Sequence, residues 1–179
     1  MTHYIFSYGS NLLLARLKAR VPSARFVTKG TLLCHELRWH KLSKDKSGKC
    51  DAFHTGNPAD HLWGGIFEIA AKEKHLLDIA EGLGTGYDEK HMDIQCVASN
   101  GQADLVRASL YTALTTDPSA IPYSWYKAFV IAGAHGCGLP QDHIEQLLAM
   151  PSAQDPDKQR EALNRSLLPD RFRDFEFSS

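Results

Sequence analysis

Tyr4-Ile5-Phe6-Ser7-Tyr8-Gly9-Ser10-Asn11-Leu12 is the stretch on which the reading of this 179-residue chain turns. Residues 4–8 are aromatic and β-branched, which predicts a strand, and Gly9-Ser10-Asn11 breaks it. Leu12, Leu13, Leu14, Leu17 and Val21 then recur at helical spacing, with Ser10 or Asn11 as the expected N-cap. Pro22-Ser23 stops that helix. A strand end therefore meets a helix start through three polar residues. N–H groups at such a start lack intrahelical partners and lie at the positive end of the helix dipole. They suit a carboxylate or a developing oxyanion, and glycine admits a ligand close to the backbone. Most turns of this kind merely join two elements, so the turn alone assigns no function.

Outward from that turn, residues 25–42 read as one long strand or two short ones, with Leu37 and Trp39 alternating against Arg38 and His40. Residues 44–49, Lys-Asp-Lys-Ser-Gly-Lys, read as a solvated hairpin tip, and 51–60 as polar and irregular. A buried strand is expected over 62–70, where Gly64-Gly65 signals a bulge or a close backbone approach. A short helix over 72–81 carries Leu76, Leu77 and Ala80 on one face, with Gly82 as its C-cap and Gly84 and Gly86 in the loop beyond. Residues 90–97 alternate as a half-buried strand, Asn100-Gly101 signals a hairpin, and 105–114 return antiparallel. Helices follow over 124–134, capped by Ser124, over 141–150, and over 155–165, before a tail from Pro169. Nothing repeats and no linker divides the chain. The expectation is a single domain over residues 1–179, with 151–179 as a helical C-terminal extension. Its class is α+β, a mixed sheet curled toward a barrel with helices packed on it.

Hydrophobic residues make up 43% of the chain and charged residues 23%, an ordinary globular balance that excludes disordered, collagenous and coiled-coil chains. A net charge of −1 gives no basic field to gather phosphates, which argues against a nucleic-acid partner. Apolar runs fall far short of the ~20 residues of a membrane span, and no signal-like segment opens the chain. Cys34, Cys50, Cys96 and Cys137 form no CxxC pair and read as reduced thiols, so a cytoplasmic setting is expected.

Glu81 is the second candidate group. A carboxylate at the end of a helix opposes the dipole, so its position calls for a reason; withdrawn from water, it would serve as a general base. A solvent-exposed glutamate is the plainer alternative. Turn and acid gain meaning together. Tyr8-Gly9-Ser10-Asn11-Leu12 resembles the YGSNL signature of the γ-glutamylcyclotransferase family. The resemblance continues through Pro22-Ser23-Ala24, Trp63-Gly64-Gly65, Leu77-Asp78 with Glu81-Gly82, and Gly86-Tyr87. Further along it takes in Tyr126, Gly133-Ala134 and Gly138-Leu139-Pro140. The blocks stand in family order up to about residue 150, and nothing beyond Met150 matches.

The resemblance implies a compact mixed-strand barrel with flanking helices and an intramolecular reaction. The α-amine of a γ-glutamyl group attacks its own γ-carbonyl, leaving 5-oxoproline and expelling an amine or amino acid. It also implies that Glu81 is the catalytic carboxylate and that Tyr8, Gly9, Ser10 and Asn11, with Leu12 closing the signature, hold the glutamyl moiety. Tyr87, Tyr111 and Tyr126 are added as pocket candidates, though core packing with the hydroxyl at the surface explains each equally well. The family often carries an aromatic one place after Tyr87, where this chain has Asp88, a departure that bears on the leaving group. The substrate supplies its own nucleophile, so neither metal nor organic cofactor is expected. The histidines show no ligand spacing, and Cys34-His35 with Cys50 and His54 is a remote metal candidate. The expected partner is a small γ-glutamyl substrate, the assembly a monomer or homodimer. Two rivals remain: a non-catalytic sensor of a glutamyl-like metabolite, and an enzyme removing a γ-glutamyl group from a larger metabolite.

Overall fold

The structure is a computed structural model that describes residues 1–97 and 101–173. Its strands are β1 (Thr2–Ser7), β2 (Arg25–Leu33), β3 (His35–Leu42), β4 (Gly48–His54), β5 (His61–Ala70), β6 (Tyr87–Val97) and β7 (Ala103–Ala113). Among the described residues there are six α-helices: α1 (Leu14–Arg20), α2 (Lys74–Glu81), α3 (Ser124–Gly136), α4 (Gln141–Ala149), α5 (Lys158–Arg165) and α6 (Asp170–Arg173). Strands β1-β5-β2-β6-β7 close into a barrel, and β3-β4 form a separate antiparallel pair. The barrel is mixed because β1 meets β7 in parallel, at Ile5↔Ser109, while its other pairings are antiparallel. The α+β class and the mixed-strand barrel flanked by helices follow the expectation.

Consecutive strand residues point to opposite faces, so the burial of both Ile5 and Phe6 means that β1 is covered on both sides. Helix α3 is apolar almost all round and correspondingly lies inside the molecule, with Phe129, Val130 and Ile131 all buried. Its Lys127 is buried too and donates to the carbonyls of Leu148 (2.8 Å) and Met150 (2.5 Å), capping the end of α4 with a cation where the dipole favours one. No helix among the described residues is long and apolar enough to cross a membrane.

Some local expectations hold and others are corrected. The run over 25–42 is the pair of shorter strands that the reading allowed, split at Cys34, whose φ of +59° turns the chain. Its N–H donates to the Asp60 carbonyl and its own carbonyl accepts from Thr55, each at 2.8 Å. The segment expected to be a hairpin tip and an irregular stretch contains β4, with Ser47 and Gly48 buried and Lys49 turned inward. Polar residues there look solvated in sequence because only the closed fold brings the rings of Tyr123, Trp125 and Tyr126 against them, while Asp45 pairs with Ser47 and Lys49 inside the segment. Gly64 and Gly65 mark close approach: both sit in regular register, and a Cβ at Gly64 would stand 2.5 Å from the Phe6 ring. The bulge of this strand pair lies instead in β2, between Phe26 and Thr28. Of the face expected on α2, only Leu77 is buried, while Ala80 reaches the pocket described below. Gly82 is the C-cap, with φ 64° and ψ 50°. Neither Ser10, Asn11 nor Ser124 caps a helix: Ser10–Leu12 form a 3₁₀ turn, Leu13 is extended, and α1 starts at Leu14. Ser124 instead accepts from Arg165 Nη2 at 2.9 Å. Asn100 of the expected hairpin lies outside the described residues, as does the tail after Arg173.

Besides the Arg165–Ser124 bond, a fully buried acid fastens the residues past Met150 to α3. Asp155 accepts from Trp125 Nε1 (2.7 Å) and from Arg160 Nη2 (2.5 Å) and Nε (2.8 Å). Burial alone would raise its carboxyl, but the hydrogen bonds from Arg160 and Trp125 outweigh that and bring it down to about 2. The other tight contact is between main chains. A Cβ on Gly133 of α3 would lie 2.4 Å from Leu12 Cβ and 2.5 Å from Leu13 N, so α3 seats the Ser10–Leu12 turn directly.

Two stability measurements check these contacts. Gly133→Ala is expected to cost about 1–3 kcal/mol in denaturant unfolding through overpacking; an unchanged midpoint would mean that α3 does not seat the turn so closely. A folded pKa below the unfolded one makes the Asp155 contribution present above about pH 4 and lost as pH falls through about 2. Asp155→Asn should therefore cost about 2 kcal/mol at neutral pH and flatten the acid loss of stability in that window. Parallel acid curves for the two proteins would refute the assignment.

Candidate active site

One end of β1 runs into the 3₁₀ turn, and a cavity of about 150 Å³ opens there. Tyr8, Gly9, Ser10 and Asn11 line it together with Glu81, Tyr87, Tyr111 and Tyr126, so eight of the nine residues singled out in the sequence converge on one space. Leu12 does not. Its side chain is buried against Gly133, and it supports the turn from behind. The ring that lines the cavity is that of Tyr87, whereas Asp88 is exposed.

Asn11 and Glu81 are in contact. Asn11 Nδ2 donates to Glu81 Oε1 at 2.9 Å, and Arg20 Nη1 donates to the same oxygen at 2.6 Å and to Asn11 Oδ1 at 2.9 Å. The Glu81 side chain is 13% exposed. This triangle explains how an acid sits at the unfavourable end of α2: the cation at the end of α1 and an amide from the turn neutralise it. Of the two readings the sequence left open for Glu81, withdrawn from water or solvent-exposed, the first holds, and its surroundings are charged and hydrogen-bonded. Among the described residues no donor engages Oε2. The side chains of Ser10 and Asn11, expected as helix caps, serve the site instead, Ser10 Oγ accepting from Arg16 Nε at 3.1 Å.

The tyrosines frame the cavity by holding backbone. Tyr8 donates to the carbonyl of Tyr111, and Tyr87 donates to that of Cys50 at 3.0 Å. Tyr126 accepts from the Cys50 N–H at 3.0 Å. Burial pushes the phenols of Tyr8, Tyr87 and Tyr126 well up, so all three stay neutral. Tyr111 turns its hydroxyl away, to Asp78 Oδ1 at 2.6 Å, and presents its ring. Burial also pushes the Cys50 thiol up to about 12, which removes it as a nucleophile at neutral pH.

Sequence reading missed four cations in the wall: Arg16, Arg20, Lys41 and Lys49. Arg16 lies over the Phe129 ring, 4.4 Å from its centroid, and burial with the charge of Arg20 lowers it to about 10. Lys49 pairs with Asp45 at 3.1 Å and faces the rings of Tyr123, Trp125 and Tyr126. Burial lowers its ammonium to about 8 even with Asp45 opposing. The spacing of these residues carries no signal, because they come from α1, β3 and β4 and meet only in the closed fold.

The Cys34, His35, Cys50 and His54 set does not converge. His3, Glu89 and His91 do bring ligating atoms within 4.8 Å of one another. The buried Ser109 hydroxyl stands between the two imidazoles, 2.8 Å from His3 Nε2 and 3.1 Å from His91 Nε2, and Lys74 Nζ is 2.9 Å from Glu89 Oε1. A hydroxyl and an ammonium thus already take the places of a cation.

Residues 61–147 match the model of the AIG2-like family. The chain is 30% identical to gamma-glutamylcyclotransferase of Mus musculus over 155 residues, which is 83% of this chain and 79% of that protein. It is also 30% identical to the Homo sapiens gamma-glutamylcyclotransferase over 151 residues, 81% and 77% of the two. A solved gamma-glutamyl cyclotransferase structure superposes with a TM-score of 0.79 at 24% identity, across 93% of this chain and 99% of that one. An uncharacterised Homo sapiens protein superposes at 0.72 with 27% identity, across 85% and 89%. Because that likeness takes in most of each protein rather than one motif, this chain belongs to the γ-glutamylcyclotransferase family of enzymes.

Proposed function

We propose that this protein cyclises the γ-glutamyl group of a small γ-glutamyl amine or γ-glutamyl amino acid, releasing 5-oxoproline and the amine, with Glu81 carrying the protons. The observation that bears most weight is the Glu81 carboxylate, fixed through Oε1 by Asn11 and Arg20 in the cavity that the Gly9–Asn11 turn also lines. Oε2 is the oxygen to which an incoming ammonium would donate.

In this reading the turn and Arg16 take the α-carboxylate of the glutamyl group, and Glu81 takes a proton from its α-ammonium. The freed amine attacks the γ-carbonyl, a C–N bond forms, and the bond to the leaving nitrogen breaks. Two protons pass from the α-nitrogen to the leaving nitrogen, which departs as an ammonium, so no net proton is taken up or released. Holding the chain bent into its ring-closing pose is the larger contribution, since effective molarities for such reactions reach ~10⁵ M or more. Main-chain N–H groups of the turn supply charge stabilisation for the oxyanion. The compactness of the cavity supports a small leaving group, and the free thiols suit a reducing, cytoplasmic setting.

Incubation with a panel of γ-glutamyl compounds, read by mass for 5-oxoproline, tests the reaction; binding without turnover across the panel would favour a sensor. Glu81→Gln should keep the circular-dichroism spectrum and lower kcat by ~10²–10⁴-fold, the usual worth of a positioned acid–base group. Full turnover in that variant would overturn the role of Glu81. Arg20→Met leaves the carboxylate held by Asn11 alone and should lower kcat/KM by ~10–100-fold through misplacement of the base, and a loss under twofold would show that Arg20 does not position it.

A further inference from the structure

Four cations line the cavity, and their partners differ. Arg20 is matched by Glu81 and Lys49 by Asp45. Arg16 and Lys41 are not matched in this way: among the described residues no carboxylate oxygen lies within 4.0 Å of either. Arg16 donates to two neutral acceptors, Ser10 Oγ and Asn164 Oδ1. Lys41 is only 9% exposed, and its Nζ stands 4.8 Å from the centroid of the Tyr87 ring. A Cβ on Gly86 would be 3.5 Å from that nitrogen, which places it over the loop that follows Glu81. Burial lowers the Lys41 ammonium and the charge of Glu81 opposes that shift. A cation withdrawn from water without a hydrogen-bonded anion is costly, and a ring face compensates only in part. A ligand anion would supply the missing partner.

From this geometry, and resting on the reaction proposed above, we infer that Lys41 is a specificity-determining residue: it binds a carboxylate on the leaving half of the substrate. The glutamyl half has one free carboxylate, because its γ-carboxyl is the amide that breaks. Arg16 is tied to Ser10 of the turn and therefore belongs with that carboxylate. The second unmatched cation needs a second anion, which only the leaving half can carry. Lys41 lies against the ring of Tyr87, and both line the cavity that would hold the ligand. Substrates selected in this way release an amino acid or a peptide rather than a simple amine.

γ-Glutamylalanine and γ-glutamylethylamide differ only in the carboxylate of the leaving half and serve as the probes. Wild-type kcat/KM is expected to favour γ-glutamylalanine by ~10-fold or more, and Lys41→Met to bring the ratio close to one, mainly by raising KM for the alanine compound. Lys41→Arg should keep part of the preference. An equal fall on both substrates, or a wild-type ratio near one, overturns the inference while leaving the reaction standing. If neither compound yields 5-oxoproline, the reaction fails instead, and calorimetry on the same pair reads the same preference: equal wild-type affinities would overturn the role of Lys41.

Discussion

The contact on which the site depends is the triangle of Arg20, Asn11 and Glu81. Each corner comes from a different element: the end of α1, the 3₁₀ turn and the end of α2. A carboxylate at a helix C-terminus is disfavoured by the dipole, and an arginine at a helix C-terminus is favoured by it. Pairing the two lets one helix end offset the other. The amide of Asn11 completes both bonds and fixes the distance between acid and turn, so the acid cannot be placed correctly unless the turn is. The family's two sequence blocks, separated by seventy residues, are thus two sides of one hydrogen-bonded ring.

The barrel makes this ring possible. Strand β1 is covered on both faces and delivers Tyr8 and Gly9 at its end, while the β3-β4 pair brings Lys41, Lys49 and Cys50 to the same cavity. Tyr87 and Tyr126 hold the Cys50 peptide from its carbonyl and its N–H, respectively. Neutral phenols do this well, because their burial keeps them protonated and leaves the charge in the cavity to Glu81 and the cations. Rigid framing by tyrosines around a few fixed charges is the arrangement expected where orientation of a substrate matters more than a protein nucleophile.

Much of this was legible in the sequence, and the failures have physical causes. The strand–turn–helix at residues 4–21 and the Glu81-Gly82 helix end are local events, set by β-branching, helical spacing and a glycine in the left-handed region, so they could be read directly. The roles of Ser10 and Asn11 were misjudged because a side chain that caps a helix and one that serves a site look alike until the partner arrives, here Arg16 and Glu81. Leu12 reads as part of the signature although it faces Gly133. Lys49 escaped for the same reason as β4, since it lies in a polar stretch that looks solvated; Lys41 lies in a stretch read as strand, and only closure of the fold brings the two against Tyr87 and Tyr126. The barrel's closing pair, β1 with β7, joins residues over a hundred positions apart, and no window along the chain contains it.

Gly133 ties the placement of the acid to the interior of the molecule. Because the turn rests on α3 where that helix has no side chain, anything larger at this one position would push the Ser10–Leu12 turn outward and carry Asn11 with it. Asn11 holds Glu81, so a methyl group buried far behind the cavity would be read out as a displaced carboxylate at its mouth.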